Sequence, residues 1–136
     1  MARYLAIVDT DDGLYGVSFP DAPGCVAQAS SQDEAINDAA DALSEWMADE
    51  LADGREPPRP RRIEELVADP EVRQALTAGA VLAYVPLIRE SGRLARANIS
   101  LDAGLLLDID ETARRLGVTR SAFLAAAAKE KIKATA

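Results

Sequence analysis

Arg96-Ala97-Asn98-Ile99-Ser100-Leu101 is the stretch that decides the fold of the last third of this 136-residue chain. Its polar and apolar side chains alternate strictly, and a period of two predicts a β-strand because successive side chains point to opposite faces. The apolar face carries Ala97, Ile99 and Leu101, and the polar face carries Arg96, Asn98 and Ser100. The stretch therefore predicts a strand that buries one face and presents the other.

Two helices are predicted directly after this strand. Asp102 is a suitable N-cap for the first and Gly117 a suitable stop, and Thr119 then caps the second. The apolar residues at helical spacing are Leu105, Leu106, Ile109, Ala113 and Leu116, then Phe123, Leu124, Ala127, Ala128 and Ile132. Since so small a unit cannot bury these faces alone and leaves its strand unpaired, we expect two copies to pair their strands and pack four helices together.

This order of strand, helix, turn and helix resembles the ribbon-helix-helix fold, in which the two-stranded ribbon of a dimer enters the major groove of DNA. The polar face carries residue types that read base edges. The guanidinium of Arg96 fits guanine, the amide of Asn98 fits adenine, and the hydroxyl of Ser100 both donates and accepts. The other interpretation is a hairpin strand with solvated polar residues.

The start of the second helix carries the rest of this resemblance. In the ribbon-helix-helix family, backbone amides and short hydroxyls at this position hold a phosphate. The matching residues here are Thr119, Arg120 and Ser121. The resemblance therefore implies phosphate contacts from these three residues, whereas without it they read as an ordinary capped helix.

The first 54 residues predict a three-stranded meander followed by a helix. Residues 3–8 and 14–19 are rich in strand formers, residues 9–13 have turn chemistry, and 25–28 can add a third strand. Ser31-Gln32-Asp33-Glu34 matches a capping box, and Gly54 is placed to end the helix. The predicted core side of this helix consists of Ile36, Ala39, Ala40, Leu43, Trp46, Met47 and Leu51.

A connector of unclear purpose separates this helix from a fourth strand. Residues 57–60, Pro-Pro-Arg-Pro, predict a stiff linker, and short helical stretches are expected near residues 63–66 and 70–76. Residues 80–88 predict a strand whose Pro86 favours a sheet edge. Residues 89–94 then have the polar composition of a hinge.

Residues 12–25 read Asp-Gly-Leu-Tyr-Gly-Val-Ser-Phe-Pro-Asp-Ala-Pro-Gly-Cys, followed by the helix start at 31–34 and Ala42-Leu43. This pattern is similar to that of the HicB antitoxin family, and the similarity covers nearly the whole chain. It implies an α+β fold: a partial ribonuclease-H-like β-β-β-α-β domain at residues 1–88, a hinge at 89–94 and a ribbon-helix-helix domain at 95–133. The connector at 57–79 is longer than in the shortest members.

The resemblance also implies a function. Members of the family neutralise HicA, a toxin that cleaves messenger RNA, so we expect a type II antitoxin that also represses its operon by binding double-stranded operator DNA as a homodimer or a higher even oligomer. The alternative is a repressor whose N-terminal domain binds a small effector. We expect no enzymatic activity and no cofactor.

The charge distribution agrees with two different roles for two parts of the chain. Residues 1–92 hold 7 basic and 18 acidic residues, a net charge of −11, while residues 93–136 hold 8 and 5, a net charge of +3. One face of the predicted helix carries Asp38, Asp41, Glu45 and Asp49, which can imitate the phosphates of a toxin's substrate. These four are the candidate toxin-binding residues, and a solvated helix face is the alternative.

Composition excludes several kinds of chemistry. The chain has no histidine and one cysteine, which removes His-dependent nucleophile systems, His-ligated zinc and an intramolecular disulfide. Asp9, Asp11, Asp12 and Asp21 raise the question of a two-metal nuclease site, but turn chemistry accounts for them better, and we expect neither a metal nor a catalytic residue. Cys25 is expected to be a small buried residue. The first residues form neither a signal peptide nor a membrane span, so we expect a cytoplasmic protein with no membrane contact.

Overall fold

The structure, a computed structural model, describes residues 2–135. The chain divides into two compact units, of which the first ends at Ser91 and the second comprises Gly92–Thr135. The first unit is a mixed unit of strands and helices, and the second has only helices as regular elements among its described residues. The expected α+β class is confirmed.

The first unit contains one antiparallel sheet and three helices. The strands occur in the order β3-β2-β1-β4, so β1 is central and β4 lies at an edge, as Pro86 predicts. The elements are β1 (Arg3–Asp11), β2 (Leu14–Ser18), β3 (Val26–Ala29), α1 (Gln32–Ala52), α2 (Ile63–Val67), α3 (Pro70–Thr77) and β4 (Val81–Pro86).

The hairpin between β1 and β2 is tighter than predicted. Asp9 and Asp11 belong to β1 and pair with Gly16 and Leu14 of β2, so placing them in a turn was wrong. The turn consists of Asp12 and Gly13 alone, with φ angles of 51° and 77°. Two successive positive φ values match the right-handed twist of the flanking strands, and Asp-Gly is a favoured pair for such a turn.

The central strand β1 contributes to two hydrophobic clusters, one on each face of the sheet. Tyr4, Ala6 and Val8 pack on the side of α1, where they join Val17, Phe19, Ala22, Cys25, Ala35, Ala39, Ala40, Leu43, Met47 and Val85. Leu5 and the half-buried Ile7 point to the other side. The strand thus alternates between two cores, as a strand covered on both faces must.

The connector covers the second face of the sheet. Leu66 of α2 and Val72 of α3 are completely buried against Leu5, with Leu76 and Leu82 packed beside them. Burial of an aliphatic side chain contributes about 1.5–3 kcal/mol, so this small cluster is a substantial part of the stability of the unit. Residues 57–79 therefore form the third layer of the unit.

Polar contacts fix the connector at its start. The carboxylate of Asp21, which is 7 % exposed, accepts hydrogen bonds from the backbone N–H of Arg61 at 2.8 Å and from its Nε at 2.6 Å. The same guanidinium bonds Asp69 at 3.2 Å, and the hydroxyl of Tyr4 donates to the carbonyl of Pro58 at 2.8 Å. Burial, with a smaller contribution from Asp21, raises the pKa of Tyr4.

Helix α1 begins and ends where the sequence predicts. The Ser31 side chain accepts from the Glu34 N–H at 3.2 Å, and Gly54 follows the helix with a φ of 75°. Most of its predicted core residues are buried or half-buried, and the Nε1 of Trp46 donates to the carbonyl of Pro23 at 3.2 Å. Leu51 was wrongly assigned to the core, because it is 64 % exposed in the last turn of the helix.

The second unit consists of α4 (Ala103–Leu116) and α5 (Arg120–Ala134) after a segment without regular secondary structure. Asp102 and Thr119 cap the two helices by accepting from Leu105 N and Ala122 N, and Gly117 ends α4 with a left-handed φ of 70°. Residues 96–101 form no strand in the single chain, and the described part of this unit holds no other strand for them to pair with. Pairing with a second copy stays a prediction.

Candidate functional site

The polar row predicted to read DNA lies on the segment before α4, which has no regular secondary structure. Arg96, Asn98 and Ser100 are all solvent-exposed, as are their apolar neighbours Ile99 and Leu101. Both sets of side chains on this segment are thus open to solvent. The polar residues are therefore accessible, and their placement on one face depends on the pairing of the segment.

The start of α5 carries the three residues predicted to hold a phosphate. Thr119 and Ser121 are exposed, and the Thr119 hydroxyl already accepts from the N–H of Ala122 as the helix cap. Arg120 already has a carboxylate partner within the chain. Its Nε and one terminal nitrogen each lie 2.8 Å from an oxygen of Asp110, so the guanidinium and the carboxylate form a two-pronged pair between α5 and α4.

The pair between Arg120 and Asp110 changes the electrostatics of this helix start. The hydrogen bonds from Arg120 lower the pKa of Asp110, and the guanidinium side chain is itself 53 % exposed. An exposed guanidinium with one carboxylate partner still has donors facing solvent, because arginine carries five N–H groups. Arg120 thus joins the two helices while part of it stays accessible to an anion.

The second unit leaves most of its apolar side chains uncovered. Only Ile109 and Ala113 are buried among its described residues. The exposed large apolar side chains are Leu94, Ile99, Leu101, Leu105, Leu107, Leu116 and Val118. Exposure of so many large apolar side chains is typical of a unit that packs against a partner.

The acidic residues predicted to bind a toxin lie on one exposed face of α1. Asp38, Asp41, Glu45 and Asp49 follow one another at intervals of three and four residues, and all four are exposed. The helix packs its opposite side, with Ala39, Leu43 and others, against the sheet. The structure therefore brings these four carboxylates together as one acidic stripe.

A groove next to this stripe was missed in the sequence. It has a volume of about 450 Å³ and lies between the C-terminal half of α1 and the segments before α2 and after β4. Its apolar wall is formed by Met47, Ala48, Leu51, Pro57 and Leu87. The groove exists because Leu51 is exposed and not part of the core. The helical spacing of Leu51 predicts the opposite, so the sequence gives no sign of the groove. We call this the α1 groove.

Two of the acidic residues considered for nuclease chemistry, Asp9 and Asp21, make structural contacts. Asp21 is bonded to Arg61, and Asp9 lies against Gly16 across the hairpin, where an added Cβ would come within 2.6 Å of its carboxylate. Among residues 2–135, no three His, Cys, Asp or Glu side chains are grouped so as to hold a metal ion. Asp9 and Asp21 thus make structural contacts within the sheet and the connector.

Cys25 is buried, as expected, and it is a poor nucleophile. Burial, with a smaller contribution from the charge of Glu45, raises the pKa of its thiol to about 11. The thiolate is the reactive form, so at neutral pH the side chain behaves as a small apolar group.

No helix within residues 2–135 combines the length and apolar composition needed to cross a membrane.

Comparison with known proteins gives a consistent result. Residues 4–128 match a family model described as a HicB-like antitoxin of a bacterial toxin-antitoxin system. An uncharacterized 14.9 kDa protein from the rep-hol intergenic region of Haemophilus phage HP1 is 32 % identical over 107 residues, which cover 79 % of this chain and 77 % of the phage protein.

Two solved structures are also similar. The antitoxin HicB of Burkholderia pseudomallei is 33 % identical, with a TM-score of 0.57 and coverage of 96 % of this chain and 98 % of that one. A chain from a complex of HicA3 with HicB3 is 18 % identical and shares the fold, with a TM-score of 0.53 over 63 % of this chain and 98 % of that one.

Proposed function

Because the chain belongs to the HicB-like antitoxin family of bacterial toxin-antitoxin systems, we propose that it binds and neutralises a HicA-like toxin and represses its own operon as a DNA-bound dimer. The match over residues 4–128 is the observation that carries the proposal. A chain of the same fold occurs in a complex of HicA3 with HicB3, which supports a toxin of the HicA class as the partner.

The first unit is the part proposed to bind the toxin. A toxin that acts on messenger RNA needs a positive surface for the phosphates, and an acidic protein can cover that surface. The acidic stripe of Asp38, Asp41, Glu45 and Asp49 supports this role, since four exposed carboxylates lie together on a rigid helix. Such charges act mainly on the rate of association, because they steer the partners before contact.

The test of this half measures association with the HicA-family toxin of the same operon, purified in an inactivated form. Replacement of the four stripe carboxylates by Asn or Gln should slow association on the order of 10-fold at low salt, with a smaller difference at high salt. The control removes the same charge elsewhere, at Asp11, Asp12, Glu64 and Glu71. Equal slowing by both variants would mean that net charge alone acts, and no complex with the unmodified chain would refute neutralisation.

The second unit is the part proposed to bind operator DNA. Two copies would pair residues 96–101 as a ribbon and cover the exposed Ile99, Leu105 and Leu116. Arg96, Asn98 and Ser100 would then share the outer face of the ribbon, while Thr119, Arg120 and Ser121 would meet the phosphates. The net charge of +3 on residues 93–136 supports contact with a polyanion.

The test of this half compares operator and random DNA. Arg96→Ala or Asn98→Ala should weaken operator binding by about 1–3 kcal/mol with little effect on random DNA, whereas Arg120→Ala should weaken both. Measurement at several salt concentrations separates the phosphate contacts from base contacts. Equal losses on both DNAs for Arg96 and Asn98 would reduce them to phosphate contacts.

A further inference from the structure

The α1 groove is an apolar site whose shape is fixed by hydrogen bonds. The Ser44 hydroxyl donates to the carbonyl of Ile88 at 2.7 Å, which holds the segment after β4 against α1. On the other side, Tyr4 donates to the carbonyl of Pro58 and so holds the segment that follows the helix. Since both walls are tied to the sheet and to α1, the groove is formed before any partner arrives.

The wall of the groove that α1 contributes is apolar although it is exposed to solvent. Leu51 is 64 % exposed and Ala48 beside it is also exposed, while Met47 beneath them is 5 % exposed. These residues and Ser44 are spaced at three and four, so they form one row of α1 directed into the groove. A preformed apolar recess of this kind suits a single inserted side chain.

The charges around the groove indicate the nature of the partner. Glu56 and Glu90 line it together with one basic residue, Arg89. The acidic stripe lies on the adjacent side of the same helix, because Glu45 and Asp49 directly follow Ser44 and Ala48, and one residue turns a helix by about 100°. An apolar recess beside a row of carboxylates complements a cationic surface that carries an apolar side chain at its centre.

We infer that the α1 groove receives an apolar anchor side chain of the toxin, while the acidic stripe binds the cationic surface around that anchor. The inference rests on the proposed function and adds to it the residues that hold the complex. Exposed carboxylates alone give little affinity, so a stable complex needs an apolar contact of this kind. The two surfaces then have separate roles, since the stripe sets the rate of association and the groove sets the rate of dissociation.

The test uses the full chain and the same inactivated toxin. Leu51→Gln removes the apolar wall without adding charge and should raise the dissociation constant at least 10-fold, mostly through faster dissociation. Val26→Gln is the matched control, because Val26 is also 64 % exposed but lies on β3, away from the groove. Ala48→Phe fills the recess and should weaken the complex as well. Circular dichroism verifies that each variant is folded.

The outcomes separate this inference from the proposed function. Normal dissociation of the toxin from both Leu51→Gln and Ala48→Phe would overturn the groove assignment while leaving neutralisation intact. No complex with the unmodified chain would refute the proposed function itself. If the variants instead changed the sedimentation of the antitoxin alone and left toxin binding unchanged, the groove would be covered by a second copy, and the inference would be wrong.

Discussion

The two units differ in how completely one chain can cover its own apolar surface. In the first unit, α1 covers one face of the sheet and α2 with α3 covers part of the other, so that two clusters of buried side chains form within a single copy. In the second unit, two helices and the segment before them bury only Ile109 and Ala113 among the described residues. The first unit buries its hydrophobic core within one copy, whereas the second leaves most of its apolar side chains exposed.

This difference indicates what each unit needs in order to be stable. A unit with its own core is expected to keep its fold at any protein concentration. A unit that completes its core from a second copy has a stability that depends on concentration by mass action. Dilution should therefore affect the second unit first, and the variants below are designed to test that separation.

The largest effect is expected at the strand segment of the second unit. Ile99→Lys places a charge on the face proposed to be shared by two copies, where an unpaired buried charge is strongly destabilising. We expect a monomer at micromolar concentration and loss of operator binding, measured by analytical ultracentrifugation and by a DNA-binding assay. Val81→Lys, at an exposed site of the first unit, is the control and should stay oligomeric. An unchanged oligomer for Ile99→Lys would show that the shared core lies elsewhere.

A smaller effect, confined to the first unit, is expected from the layer formed by the connector. Leu66→Ala leaves a cavity under Leu5 and Val72 and should lower the free energy of unfolding by about 2–5 kcal/mol. Denaturant unfolding followed by the fluorescence of Trp46 measures it. Val67→Ala is the control on the same helix, because Val67 is 39 % exposed, and we expect a change below about 0.5 kcal/mol. If Leu66→Ala also abolished the proposed dimer, the units would not be independent.

The smallest effect is a titration in the second unit. Hydrogen bonds from Arg120 lower the pKa of Asp110 in the folded chain, so the pair stabilises the fold above the ordinary pKa of an aspartate, and this contribution disappears as pH falls through the lowered value. Nuclear magnetic resonance of the carboxyl group should give a pKa below 3.8. Arg120→Gln should return it toward that value. An equal pKa in both proteins would show that the helices are not joined by this pair in solution.

Local signals account for the elements that sequence analysis predicts well. Ser31, Asp102 and Thr119 cap their helices, and Gly117 ends α4, because each needs only neighbouring backbone groups to act. The acidic stripe is also predictable from local sequence, because helical spacing alone decides which residues share a face.

The features that sequence analysis missed depend on distant contacts. The connector is held on the sheet because Arg61 bonds Asp21, forty residues earlier in the chain, and because Leu66 packs against Leu5. Leu51 has the correct spacing for the core side of α1, but it lies outside the buried cluster and is exposed. The partner of Arg120 is likewise on another helix. No periodicity within a single element contains this information.

The position of β1 at the centre of the sheet has a consequence for synthesis. The ribosome makes β1 first, and its hairpin partner β2 follows within a few residues, but β4, which pairs with its other edge, begins at Val81. At a translation rate of about 5–20 residues per second, the roughly 70 intervening residues take about 4–14 s. During that interval the backbone of β1 has one unpaired edge, and Leu5 and Ile7 stay uncovered until α2 and α3, which supply Leu66 and Val72, have been made. The nascent chain is thus most prone to aggregation before β4 and the second unit have been translated.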